Sequence, residues 1–209
     1  TVIVSKTGFA AAEMTVTVTK DATTRVNEPG GGIMLTRGER SKWTFMVYMN
    51  ADNDLEEFAI QDLNEMERVG SSKDVNLVVV VDRSGGYDSS NGNWADARKY
   101  YVTQDSDSQV IHSSILAELG EIDMGDPEQL KAFIRWAMTE YPADNYVLDM
   151  WNHGAGFRSR AAERNPITRG FSFDDTQNTH IKTTALPDAI QGPDLIDILA
   201  WDSSLMQMM

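Results

Sequence analysis

The histidine in "NHGAG" (Asn152 to Gly156) has the surroundings of a proton-transfer residue. Imidazole is the side chain whose ordinary pKa lies nearest neutral pH, and the glycines beyond it permit a tight turn from which the His153 ring can project. On such a turn the Gly154 N–H can point at a developing negative charge, the task of an oxyanion-hole donor. One histidine of three is as readily a plain loop residue, so its partners decide the matter. Fifty-one residues further on stands Ser204, in "AWDSSLMQMM" (Ala200 to Met209), after Trp201, Asp202 and Ser203. A serine hydroxyl attacks only with a closely hydrogen-bonded, well-oriented base, whereas a thiol of pKa about 8.5 supplies usable thiolate near neutral pH. The chain has no cysteine, which excludes disulfides and thiolate metal sites.

The elements that must position these residues alternate along the chain. "WTFMVYMN" (Trp43 to Asn50) is an almost continuous apolar run, as expected of a strand covered on both faces. Asp52 or Asp54 can cap a following helix with Leu55, Phe58, Ala59, Leu63 and Met66 at helical spacing and Gly70 as its stop. "NLVVVVD" (Asn76 to Asp82) is a second buried strand. "KYYVTQ" (Lys99 to Gln104) predicts a shorter strand at the sheet edge. Asp126-Pro127 opens another helix with Leu130, Phe133, Ile134, Ala137 and Met138 on one stripe. "NYVLDMW" (Asn145 to Trp151) and "DLIDILAWD" supply the strands that lead into His153 and Ser204, with a helical turn at "LPDAIQG". Strands separated by helices in this order predict an α/β domain with a largely parallel sheet, whose sites lie at the carboxyl ends of strands.

Ahead of this domain, "TVIVSKTGFAAAEMTVTVTK" (Thr1 to Lys20) predicts a β-hairpin, and "NEPGGG" (Asn27 to Gly32) has linker chemistry. The expected organisation is a β-rich segment over 1–25, a linker over 26–41 and the main domain over 42–209. The chain has 209 residues, 41% of them hydrophobic, enough for one sizeable core in a soluble globular protein. Eighteen basic against 32 acidic side chains give a net charge of −14, which excludes a nucleic-acid surface and favours cationic partners. No run of about 18 apolar residues is present, so no membrane-spanning helix is expected.

The spacing from His153 to Ser204 matches that from histidine to nucleophile in caspases, one strand apart in the same kind of sheet. More specifically, "YPADNYVLDMWNHGAG" and "LAWDSSLMQMM" resemble the histidine and nucleophile segments of the clostripain family of cysteine peptidases, in which the second segment reads D-x-C-L-M. "FMVYMNADNDLEEFAIQDLNEME" (Phe45 to Glu67), "LVVVVDRSGG" and "GEIDMGDPEQLKAFIRWAMTEYPADNY" (Gly120 to Tyr146) are similar to further family segments, so the resemblance covers Lys42 to Met209.

That resemblance implies a caspase-like three-layer sandwich, an endopeptidase activity directed at Arg or Lys in peptide or protein substrates, and bacterial secretion or cell-surface exposure. It makes His153 the catalytic base or acid and Gly154 an oxyanion donor. Asp202 lines the pocket for the basic side chain, and Ser204 stands at the position of the nucleophilic cysteine. Ser203 is a spacer. Ser204 is therefore a replacement, engineered or natural, that leaves binding intact and the chemistry nearly dead. A silent module that captures basic peptides without cutting them is the rival reading. The family continues past the nucleophile with a helix, more strands and the rest of the specificity pocket, so the expectation is a domain truncated after the nucleophile strand. Internal processing in the family falls between the two segments, which directs attention to Arg158, Arg160, Arg164 and Arg169.

Other stretches carry less. "DNDLEE" (Asp52 to Glu57) could supply Ca²⁺ oxygens, as some family members need calcium, but a carboxylate-rich helix start accounts for it equally. "DRSGGYDSSNG" (Asp82 to Gly92) lacks Walker spacing and any Lys and reads as a surface loop. "FSFDDT" (Phe171 to Thr176) reads as a short strand and turn. No two histidines or carboxylates lie at ligand spacing around His153, which disfavours a metallohydrolase.

Overall fold

The computed structural model describes residues 2–4, 12–14, 24–26, 33–35, 40–155, 170–204 and 206. Thr1–Arg40 and Ser41–Met209 form two compact units. In the first, β1 (Val2–Val4) pairs antiparallel with β2 (Ala12–Met14), in line with the expected hairpin. A second antiparallel pair joins β3 (Thr24–Val26) to β4 (Ile33–Leu35), and β4 lies inside the linker expected over 26–41.

The second unit is built on a six-stranded sheet. Its strands are β5 (Ser41–Ala51), β6 (Val75–Arg83), β7 (Ala97–Tyr101), β8 (Ser114–Gly120), β9 (Ala143–Asn152) and β12 (Ile198–Ser203), in the order β12-β9-β5-β6-β7-β8. The first four in that order run parallel, and β7 and β8 run antiparallel to their neighbours. Alternating residues of the apolar strands feed two separate cores. Met46, Tyr48, Val78, Val80, Leu148 and Met150 face one side, while Val47, Met49, Val79, Val81 and Trp151 face the other. A strand apolar on both faces must be covered on both. Helix α1 (Glu56–Glu67) covers the second side with Ala59, Ile60 and Leu63. Helix α2 (Pro127–Glu140) covers the first with the expected stripe of Leu130, Phe133, Ile134, Ala137 and Met138, all buried. Each large side chain of that stripe contributes about 1.5–3 kcal/mol by leaving water. The short α3 (Leu186–Ala189) packs on α2, and a 3₁₀ turn (Thr183–Ala185) leads into it.

Several local expectations are corrected. Neither Asp52 nor Asp54 caps α1: the N-cap is Leu55, and it is Asn53 Oδ1 that accepts the Leu55 N–H at 2.9 Å. Phe58 is 52% exposed, and Ile60 takes its place in the core. "KYYVTQ" is not at the edge. The strand at that edge is β8, whose Ile115, Leu116 and Leu119 are exposed and give no alternating signal. Capping of α2 follows the sequence, with Asp126 accepting from the Glu128 N–H and Pro127 in the first turn. Gly70 ends α1 at φ +62°, and a Cβ there would meet the Gln104 backbone at 2.2 Å, so only glycine fits. β10 (Gly170–Asp174) pairs antiparallel with β11 (Thr179–Lys182), a strand with no distinct sequence signal. Among the described residues no helix is long and apolar enough to cross a membrane.

Candidate active site

β9 and β12 are adjacent and parallel, and their register pairs Asn152 with Ser203. The next residues, His153 and Ser204, therefore leave two neighbouring strands at the same carboxyl edge. The chain just beyond them is held close. Gly154 bridges Phe171 of β10, and a Cβ at 154 would come within 2.2 Å of the Ser204 carbonyl oxygen and 2.6 Å of Met206 Cγ. Contacts that short do not occur, so glycine is required for the histidine turn to lie against the segment after Ser203. Ser203 is turned the other way, its hydroxyl donating to the Met150 carbonyl at 2.7 Å, while Ser204 is exposed.

His153 is oriented by a residue that the sequence offered only as a helix cap or a calcium ligand. Its Nε2 lies 2.7 Å from Asp54 Oδ1, with the two side chains 41% and 66% exposed. Asp54 lies in the turn between β5 and α1, so the His153 ring is held by the element after the first core strand. Only the juxtaposition of two strand ends reveals the pair; 99 residues separate them.

Beneath the turn, side-chain amides lock three strand ends together. Asn152 Nδ2 donates to the carbonyls of Asn50 and Phe173, and its Oδ1 accepts the Phe173 N–H. Asn53 Nδ2 also donates to the Phe173 carbonyl, and Asn50 Nδ2 donates to the Ser172 hydroxyl. Ser172 adopts φ +56°, an uncommon conformation outside glycine, and its hydroxyl donates to the Met124 carbonyl. "FSFDDT" is thus the strand and turn that floor the site.

Asp202 is exposed and lies on the α1 side of the sheet with Asp62 and Asp149. Burial raises the Asp149 carboxyl above its ordinary range, and the charge of Asp202 raises it further. Asp62 is raised by burial, partly offset by the Trp151 indole N–H that it accepts at 2.7 Å, with Asp202 again adding to the rise. The three carboxylates are close enough to repel one another, which makes this side of the β9–β12 edge acidic.

The "DNDLEE" carboxylates do not converge on a common point. Asp52 accepts the Thr176 N–H and hydroxyl, Asp54 meets His153, Glu56 pairs with Arg83, and Glu57 accepts from Gln61. Each is committed elsewhere, so the stretch does not fit a calcium site. Among the described residues no group of three or more His, Asp or Glu side chains is placed to hold a metal. Arg158, Arg160, Arg164 and Arg169 lie outside the described residues.

A three-layer, largely parallel α/β sandwich with a histidine and a serine just past the ends of neighbouring strands is the caspase-like class of peptidase fold. Residues 47–209 match the clostripain family, peptidase C11, and the chain belongs to that family. It is 31% identical to clostripain of Hathewaya histolytica over 186 residues, which cover 81% of this chain and 35% of clostripain. Among solved structures it is similar to a secreted C11 cysteine protease from Bacteroides thetaiotaomicron in complex with an irreversible peptide inhibitor. There the TM-score is 0.57 and the identity 26%, covering 80% of this chain and 44% of that one. An inactive zymogen C11 protease from Parabacteroides distasonis shares the fold, with TM-score 0.57, 20% identity, and coverage of 80% and 43%. The chain thus spans about a third of clostripain and under half of these two structures.

Proposed function

We propose that this chain carries the histidine and nucleophile segments of an endopeptidase domain that cuts on the carboxyl side of Arg or Lys, within residues 42–209, preceded by a separate β-rich segment over 1–25. The carrying observation is the β9–β12 register together with Gly154 packed against the Ser204 backbone. It supports a site in which His153, the Gly154 N–H and position 204 serve one scissile bond. Family membership supports the peptidase scaffold, and the similarity to clostripain supports basic specificity.

With a cysteine at 204, the thiolate sulfur attacks the substrate carbonyl carbon, and the Gly154 N–H hydrogen-bonds the oxygen that becomes negative. The C–N bond then breaks as His153 gives a proton to the leaving amine. Water, with its proton taken back by His153, releases the acid and restores the thiolate. Asp54 accepts from Nε2 of His153, which leaves Nδ1 as the nitrogen that exchanges the proton with substrate. Asp202, backed by Asp62 and Asp149, pairs with the guanidinium or ammonium of the residue ahead of the cut. Ser204 lacks a ready anion, so the chain as it stands binds without turnover. Secretion is part of the proposal, supported by the secreted relative from Bacteroides thetaiotaomicron.

The test is Ser204→Cys in the full-length protein, assayed on an Arg-containing reporter peptide and on its norleucine counterpart. Cleavage of the Arg peptide alone is expected. No cleavage of either peptide by the Cys form would favour a silent module that captures basic peptides.

A further inference from the structure

The turn that carries Asp54 is anchored by a buried carboxyl pair that the proposed reaction does not use. Asp52, just after β5, is fully buried, and Asp174, the last residue of β10, is 1% exposed. At Asp52 the β5–α1 turn is laced to the turn after β10. The Asp52 carbonyl accepts the Asp175 N–H at 2.9 Å, and its carboxyl accepts the Thr176 N–H at 2.8 Å and the Thr176 hydroxyl at 3.0 Å. Asp174 is gripped from two further directions, its Oδ2 accepting the Met124 N–H and its Oδ1 the Gln177 N–H, each at 2.9 Å. With these partners in place, the two carboxyl groups also hydrogen-bond each other. Two carboxylates have no donor between them, so that bond requires a proton on one of the pair.

The surroundings favour keeping that proton. The ionisable groups around the pair and its neighbour Asp82 are Tyr48 of β5, Glu121 after β8, Asp123 and Asp126 ahead of α2, and Asp175 in the same turn. All are carboxyls apart from one phenol, so they add to the cost of ionising both members. His153 reaches only the rim, where its charge acts on Asp175. Burial raises the Asp174 carboxyl to about 7, an effect that the Gln177 and Met124 N–H groups oppose and Asp52 reinforces. The proton is therefore held below that pH and released above it.

We propose that Asp52 and Asp174 share one proton, that this proton fixes the β5–α1 turn so that Asp54 reaches His153, and that its release to solvent disengages Asp54. Asp52 and Asp174 are thus positioning residues that act on the imidazole through Asp54. With both ionised, the pair repels inside the fold. The Asp54–His153 contact, with side chains 66% and 41% exposed, is the weakest tie of the turn and yields first. The structural link stands on its own, whereas its effect on turnover rests on the peptidase reading of His153 and position 204.

The test follows the His153 ring nitrogens by nitrogen-15 NMR on the present chain from about pH 5 to about pH 9, which needs no turnover. Imidazolium and the neutral tautomer bonded to Asp54 both carry a proton on Nε2, so titration of the ring alone leaves that nitrogen protonated. In the parent, Nε2 should lose its fixed proton as pH rises through about 7, and the ring should become a mixture of both tautomers. In Asp52→Asn it should stay protonated throughout, because the amide nitrogen is a donor that does not titrate and the amide oxygen can still accept the Thr176 N–H. Without any substitution, the carbon-13 signal of the Asp174 carboxyl should titrate near the same pH, with a matching displacement at Asp52. In full-length Ser204→Cys, kcat on an Arg reporter should fall about tenfold from pH 7 to 9, and by under about twofold when Asp52→Asn is added. An Nε2 that stays protonated in the parent at pH 9, the same pH course in parent and Asp52→Asn, or Asp174 titrating in the ordinary carboxylate range would each overturn the shared proton. A pH course erased by millimolar Ca²⁺ would mean that the carboxyls hold a cation, which also overturns it. The expected NMR course without cleavage by Ser204→Cys would uphold the link to His153 and remove the peptidase reading alone.

Discussion

His153 and Asp54 illustrate what a sequence can and cannot say about single residues. The histidine stands out by its glycines, because a tight turn at a strand end leaves few alternatives for "HGAG". Asp54 was legible only as a carboxylate near a helix start, where helix electrostatics accounts for its presence without any partner. Its contact with His153 depends on the order of strands in the sheet, which no local pattern encodes. In the proposed reaction Asp54 acts through the imidazole and does not itself touch the reacting bond. In the Ser204→Cys protein, Asp54→Asn should therefore lower kcat about 10- to 100-fold, a moderate share of what acid–base catalysis supplies, and leave KM within about twofold. Steady-state kinetics on an Arg reporter separates the two constants, and equal losses in binding and turnover would assign Asp54 to the substrate pocket.

Elements were legible in proportion to how strongly one force dominated them. α2 announced itself because its cap, its proline and a complete apolar stripe agree. β8 did not, since its two faces are both exposed and its side chains show no period. α1 falls between: its interior was read, but its start was misassigned because Asp52 is drawn into the turn after β10 by Thr176. The same buried region holds Asp82 at the end of β6, fully buried, with neither carboxylate oxygen hydrogen-bonded among the described residues. Burial, with Glu121, Asp174 and Asp52 nearby, pushes its pKa up to about 9, and burial also raises Asp174 to about 7. A carboxyl raised on folding binds its proton more tightly in the native state. Its contribution to stability is therefore full below the ordinary carboxylate range and is lost progressively as pH rises from about 4 to about 9. Asp82→Asn keeps the shape and removes the titration. Urea unfolding should find it more stable than the parent by a margin on the order of 5 kcal/mol at pH 8, with the difference vanishing towards pH 4. A pH-independent difference would mean that Asp82 is not protonated in the fold.

At the scale of the whole molecule, the alternation of strands and helices was enough to give the α/β class, and the family-like segments gave the neighbourhood of the site. β8, β11 and the antiparallel pairing of β7 and β10 with them came only with the structure, because they are held by pairing and amide networks rather than by apolar periodicity. The net charge of −14 acquires a partial location: Asp62 of α1, Asp149 of β9 and Asp202 of β12 gather on one side of the sheet. The central claim is that His153 and position 204 form one reactive centre with basic specificity. Intact-mass measurement on the full-length protein, after exposure to a thiol-selective acyloxymethyl ketone peptide carrying Arg, tests it most directly. The account predicts one inhibitor mass added to Ser204→Cys, none to the Ser204 parent, and a much slower addition to Ser204→Cys when His153→Ala is combined with it or when norleucine replaces Arg in the peptide. Equal labelling with the norleucine peptide, or no labelling of the Cys form at all, would contradict it.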